Sequence, residues 1–161
     1  MSKFAKRLLV AAILLLVLAV ILHMGGWLQC AIFTIGAIAS VFEISNAFEK
    51  RDRKPYMLPA YLYAAGYFVL YRLFGGEAVW LLGIFMVMLA LMERIWNRTR
   101  TTEDAFFALV PLVYPLAFFT AVAMVAEYAG EYDKSRIALF SIFAMPLMGD
   151  TFAYTLSLIH I

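Results

Sequence analysis

Two carboxylates stand inside apolar stretches of this chain: Asp150 in Pro146-Leu147-Met148-Gly149-Asp150-Thr151-Phe152-Ala153-Tyr154, and Glu43 in Val41-Phe42-Glu43-Ile44. An acid at membrane depth costs about 2.5 to 3.5 kcal/mol on insertion scales, so such a residue is a functional candidate by default. Two carboxylates at one level can hold a divalent cation, relay protons or pair with basic groups supplied elsewhere. The plainer readings are an acid that reaches headgroups or water from a helix end for Asp150, and a hydrogen bond to a neighbouring helix, through Ser45 or Asn46, for Glu43. Around Asp150 the spacing adds detail. Gly149 and Ala153, four apart, share a helix face and let another backbone approach. Asp150 and Tyr154 share the adjacent face. Pro146 cannot donate its backbone N–H, which predicts a bend.

Composition identifies the solvent around those acids. Apolar residues make up 65% of the 161 residues and charged residues 15%, with a mean hydropathy of +0.88; soluble domains have roughly 45 to 50% and 25%. The chain is an integral membrane protein, and its length allows one bundle, a single membrane domain over residues 1–161. A net charge of +2 gives no support for a nucleic-acid partner. The lone Cys30 cannot form an internal disulfide and reads as a packing residue. Lys3, Lys6 and Arg7 precede an apolar run as in a secretory signal. Bulky Trp27 and polar Gln29 then stand where small residues should precede a cleavage site.

The elements that must carry the acids follow from where charge is absent. Leu8 to Phe42 contains no Asp, Glu, Lys or Arg, far more than the ~20 residues one spanning helix needs. It reads as two helices with Gly25-Gly26 permitting the reversal. Charge elsewhere bounds four more, giving an all-α polytopic transmembrane bundle of about six helices near residues 8–24, 27–48, 57–74, 78–95, 105–126 and 137–158. Tyr56, Tyr61, Tyr63, Tyr67, Trp80 and Trp96 are available for membrane interfaces. Ten basic residues, Lys3, Lys6, Arg7, Lys50, Arg51, Arg53, Lys54, Arg94, Arg98 and Arg100, fall on one side, against Arg72, Lys134 and Arg136 on the other. Positive charge stays inside, so the N-terminus is expected in the cytoplasm of a multi-pass protein of the cell (inner) membrane. Asp150 then lies roughly 21 Å along its helix from Arg136, and Glu43 about 10 Å from Lys50, both in the cytoplasmic half.

With these residues in hand, Gly149-Asp150-Thr151-Phe152-Ala153-Tyr154 resembles the segment of the phosphatidate cytidylyltransferases, the CDP-diacylglycerol synthases, in which an aspartate is followed by Ser or Thr and then Ala-Tyr. The basic N-terminus, the paired first helices and a glutamate late in the second, matched by Glu43, are similar too. The resemblance implies transfer of a cytidylyl group from CTP to phosphatidate, with CTP, phosphatidate and membrane lipids as partners and Mg²⁺ as cofactor; it leaves a homodimer open. It assigns catalytic roles to Asp150 and Glu43, metal binding to Asp150, and substrate contacts to Thr151 and Tyr154. The family continues with a glycine-rich turn and lysine. Here Tyr154 is followed by Thr155-Leu156-Ser157-Leu158-Ile159-His160-Ile161, so the chain is expected to be the N-terminal part of a longer enzyme, inactive alone, and His160 carries no role.

Other features add less. The loop Glu49-Lys50-Arg51-Asp52-Arg53-Lys54 can attract anionic headgroups and is equally the ordinary positive-inside anchor. Asn97-Arg98-Thr99 fits a glycosylation sequon on the side where that modification does not occur. Pro111 and Pro115 mark a kink in the fifth helix. Walker, zinc-cluster and GxSxG motifs are absent from the sequence. Two alternatives stand beside the cytidylyltransferase: a CTP-dependent polyprenol or phytol kinase, and a small proton-coupled carrier, against which the lack of a repeated half counts.

Overall fold

The apolar run before Phe42 is divided at its glycines: α1 (Lys3–Met24) stops and α2 (Gly26–Glu49) begins around Gly25 and Gly26, at φ 58° and 59°. That left-handed region is open to glycine at little cost. A computed structural model of the chain describes residues 3–97, 100–127 and 132–159. Among the described residues the fold is all-α, with seven helical segments that make six helices once the interrupted fifth is taken as one. The remaining segments are α3 (Leu58–Phe74), α4 (Gly76–Trp96), α5 (Thr102–Val113), α6 (Leu116–Ala126) and α7 (Tyr132–Ile159). α5 and α6 are the two halves of the fifth helix. Pro115 has no N–H to continue the ladder, and it drives Tyr114 into extended backbone, φ −146° and ψ 118°. Pro146, by contrast, sits inside α7 without ending it.

Among the described residues three helices are long and apolar enough to cross a membrane: Gly26–Glu49, Gly76–Trp96 and the interrupted Thr102–Ala126. α3, of 17 residues, falls just short of the ~20 that span about 30 Å of hydrocarbon.

The chain folds as two compact units. The first, residues 1–29 and 128–161, is the pair α1 and α7. Arg136 near the start of α7 donates from Nη2 to the carbonyl of His23 near the end of α1, a cation placed on a carbonyl end of a helix, where the macrodipole favours it. Leu22, Leu139 and Ala144 are buried along this unit. Because the end of α1 meets the start of α7, the pair is antiparallel.

The second unit, residues 30–127, holds most of α2 together with α3 to α6. Its core is built on small residues, Ala37, Ala60, Ala64, Ala90, Ala108 and Ala123, around Val41, Tyr67, Phe68, Leu116 and Val122. Lipid tails are as apolar as these side chains, so close backbone approach at small residues is what holds such helices together. Side-chain pairs fix the direction of each rod. Phe48 meets Phe107 at 5.2 Å and Arg53 meets Glu103 at 2.7 Å, which puts the end of α2 beside the start of α5. Arg72 meets Glu127 at 2.9 Å, which puts the ends of α3 and α6 together at the opposite end.

Candidate functional site

Asp150 lies on α7 in the first unit and is exposed, as are Met148 and Phe152 on either side of it. The helix is carried here by the long apolar sequence that follows Arg136 and by packing against α1. At the helical rise, Asp150 is about 21 Å beyond Arg136, which in an antiparallel pair carries it toward the Leu9 end of α1 and away from His23. Gly149, beside it, has nothing within 4 Å of the position a Cβ would take. Ala153 is exposed too. The small-residue face expected from Gly149 and Ala153 is thus present and open. The side chains of Thr151 and Tyr154, and residue His160, lie outside the described residues.

Glu43 lies on α2 in the second unit, also exposed, two residues beyond fully buried Val41 and next to exposed Phe42. Two residues turn a helix by about 200°, so Val41 faces the core and Glu43 faces away from it. Each acid is therefore on the outer surface of its own unit. Among the described residues no group of three or more His, Cys, Asp or Glu could hold a metal ion. The donor set at Asp150 is a single carboxylate. That suits Mg²⁺, which typically takes one or two carboxylates and completes its shell with water and phosphate oxygens; it does not suit a cation that needs an all-protein cage.

The polar groups that are packed inside the second unit are others. Tyr63 and Thr120 are 7% and 8% exposed; their hydroxyls lie 2.8 Å apart, and Thr120 Oγ1 also donates to the Leu116 carbonyl at 2.8 Å. The Thr120 proton is committed to that carbonyl, so Tyr63 is the donor between them. Tyr67, one turn on, stacks on Tyr63 with centroids 6.1 Å apart and is fully buried. Both stood among the aromatic residues available for membrane interfaces. Their four-residue spacing instead puts them on the buried stripe of α3 with Ala60 and Ala64, while Trp80 and Trp96 are 65% and 85% exposed as anchors require. The signal for the pair was a lone Thr in the apolar run Leu116 to Ala126, which needs a partner wherever it is buried.

Beside that pair lies an apolar groove of about 520 Å³, lined by Trp80, Ile84, Met88, Leu112, Val113 and Ala117 among others. It sits where the fifth helix is interrupted. Walls of this kind accept an acyl chain and offer no charge to a nucleotide.

Charge is concentrated at the end of the second unit shared by α2, α4 and α5. Arg53 bonds Glu103 and lies over Phe107, 5.5 Å from its centroid. Arg100 bonds Glu93 at 3.1 Å and lies over Tyr56, again at 5.5 Å. The loop after α2 and the loop after α4 thus meet at one end, so the basic residues grouped from sequence, Lys50 to Lys54 with Arg94 and Arg100, do share it. Arg98 and Thr99 lie outside the described residues.

No curated protein and no solved structure matches the chain. The family comparison matches over residues 5–158, nearly the whole length, and includes both Glu43 and Asp150. A match over nearly the whole chain settles the family: the chain belongs to the Cytidylyltransferase family.

Proposed function

We propose that this protein transfers the cytidylyl group of CTP to phosphatidate, with release of pyrophosphate, its basic end facing the cytosol. The observation that carries the reading is the family match across residues 5–158, which spans the Gly-Asp-Thr segment of α7. The phosphate monoester of the lipid attacks the α-phosphorus of the nucleotide, the bond to the bridging oxygen breaks, and the electron pair leaves with pyrophosphate. Two polyanions, the lipid phosphate and the nucleotide triphosphate, must be brought together, so charge neutralisation and alignment are the main demands. When bound, Mg²⁺ would neutralise nucleotide phosphate charge, and Asp150 would be its protein ligand. Glu43 is the second acid of this reading, and the hydroxyls of Thr151 and Tyr154 are its hydrogen-bonding neighbours.

The test follows the label. In membranes carrying the protein, CTP radiolabelled at the α-phosphate should deliver label to phosphatidate, and CTP labelled at the γ-phosphate should deliver it to pyrophosphate. Asp150→Asn should reduce transfer by at least about 10²-fold, the usual scale for losing a group that positions transition-state charge. Label reaching lipid from the γ-position would mean a kinase, and near-normal transfer by Asp150→Asn would remove its catalytic role.

A further inference from the structure

Tyr114 and Pro115 are all that joins α6 to α5 along the chain. Pro115 has no N–H to return to the Pro111 carbonyl, so the ladder is cut between the two halves of the fifth helix. A hinge is a short stretch of this kind, a few residues at the ends of rigid elements. The polar ties that hold α6 run to α3. Tyr63 bonds Thr120 at 2.8 Å in the middle of α6, and Arg72 bonds Glu127 at 2.9 Å at its far end. Toward α4, by contrast, α6 leaves a gap. The walls of the 520 Å³ groove include Gly83 on α4 and Ala117 and Ala121 on α6, with Tyr63 between them. Ala117 and Ala121 are four apart and share a helix face, and Gly and Ala are the residues through which membrane helices approach most closely. Yet the position a Cβ would take at Gly83 has the Tyr63 ring within 4 Å and no atom of α6. Small residues suited to a helix contact thus face each other across open space.

We propose that α6 is a gate that turns on Tyr114 and Pro115 to close the groove against α4, with the Arg72–Glu127 pair as the latch that holds it open. Open, the groove admits a hydrocarbon chain from the bilayer. Closed, Ala117 and Ala121 meet Gly83 and the chain is expelled. Met124 marks the direction of travel: its Cε already reaches to 3.8 Å from the Cβ position at Gly76, where α4 starts. The latch lies at the end of the second unit opposite the basic residues, and the device is independent of the role of Asp150.

A cysteine pair reads the closed state, because a disulfide forms where two Cα atoms come within about 7 Å. In a Cys30→Ala background, Gly83→Cys/Ala121→Cys should oxidise slowly in detergent micelles. Glu127→Gln or Arg72→Met should speed the reaction about fivefold, the most that a partly exposed ion pair contributes to such a balance. Combining the two should add little, since either one releases the latch. A second pair, Val87→Cys/Leu112→Cys, lies on the α5 side of the hinge and should not respond. Equal rates with and without the latch would overturn the gate, and so would equal acceleration of both pairs, which is general loosening. If the cysteine variants fail to fold, Trp80 on the groove wall serves as the probe, in Trp27→Phe/Trp96→Phe protein. Its quenching by brominated acyl chains should fall on Glu127→Gln, and unchanged quenching would sink the proposal.

Discussion

Replacing Thr120 by Val should destabilise the protein more than replacing Tyr63 by Phe, although both remove the same hydroxyl contact. The asymmetry comes from the proton inventory. Thr120 Oγ1 donates to the Leu116 carbonyl and accepts from Tyr63, both at 2.8 Å. Tyr63→Phe deletes the donor and leaves Thr120 with its bond to the backbone intact. Hydrogen bonds between membrane helices average about 0.6 kcal/mol and reach about 1.7, so the cost should lie in that range. Thr120→Val has nearly the same shape but strands the Tyr63 hydroxyl at a position only 7% exposed. An orphaned buried donor costs about 1 to 3 kcal/mol. The double variant removes both partners and should fall near Tyr63→Phe, well short of the sum, because no donor is then left unpaired. Reversible unfolding in mixed micelles, followed by tryptophan fluorescence, measures all three. If Thr120→Val costs no more than Tyr63→Phe, or the double variant is additive, the assignment of Tyr63 as donor in a dry site is wrong.

The Arg72–Glu127 pair is about a quarter exposed on each side, so a double-mutant cycle with Arg72→Met and Glu127→Gln should give a coupling of about 1 kcal/mol, between exposed and fully buried pairs. A value near zero would mean that the pair does not hold α3 to α6. Thr101→Ala breaks the capping box in which its hydroxyl accepts from Asp104 N at 3.2 Å; loss of about 1 kcal/mol should speed amide exchange in the first turn of α5. Gly36→Leu would push a side chain against the Phe119 ring, which lies only 3.3 Å from the Cβ position, and should cost about 1 to 3 kcal/mol by overpacking. Gly149→Ala meets nothing within 4 Å, so a drop in stability beyond about 0.5 kcal/mol would show that its face is packed; a drop in activity alone would show that substrate or further protein approaches there.

How much of this was legible beforehand differs from residue to residue. Asp150 and Glu43 are conspicuous because a carboxylate in an apolar run breaks a local rule, and the Gly25-Gly26 division is likewise a local signal. The kink expected from Pro111 and Pro115 is found as an interruption between Val113 and Leu116. Pro146 lies inside α7, which continues through it as helix. Tyr63 and Tyr67 carried no mark distinguishing them from Tyr61; only the stripe they share with Ala60 and Ala64 makes them core residues.

The sequence by itself determined the solvent, the helices and the clustering of basic residues, because each is a sum over neighbouring side chains: apolar length, a glycine or proline at a boundary, charge in a connection. It also carried the resemblance to the family that the match over residues 5–158 shows. Tertiary structure decided which polar groups find each other across distance. It paired Tyr63 with Thr120, Arg72 with Glu127 and Arg53 with Glu103, and turned Asp150 and Glu43 outward on their own units. Those outcomes depend on which helix faces meet, and helix faces meet where small residues let backbones approach, a property of pairs of segments that no single stretch of chain contains.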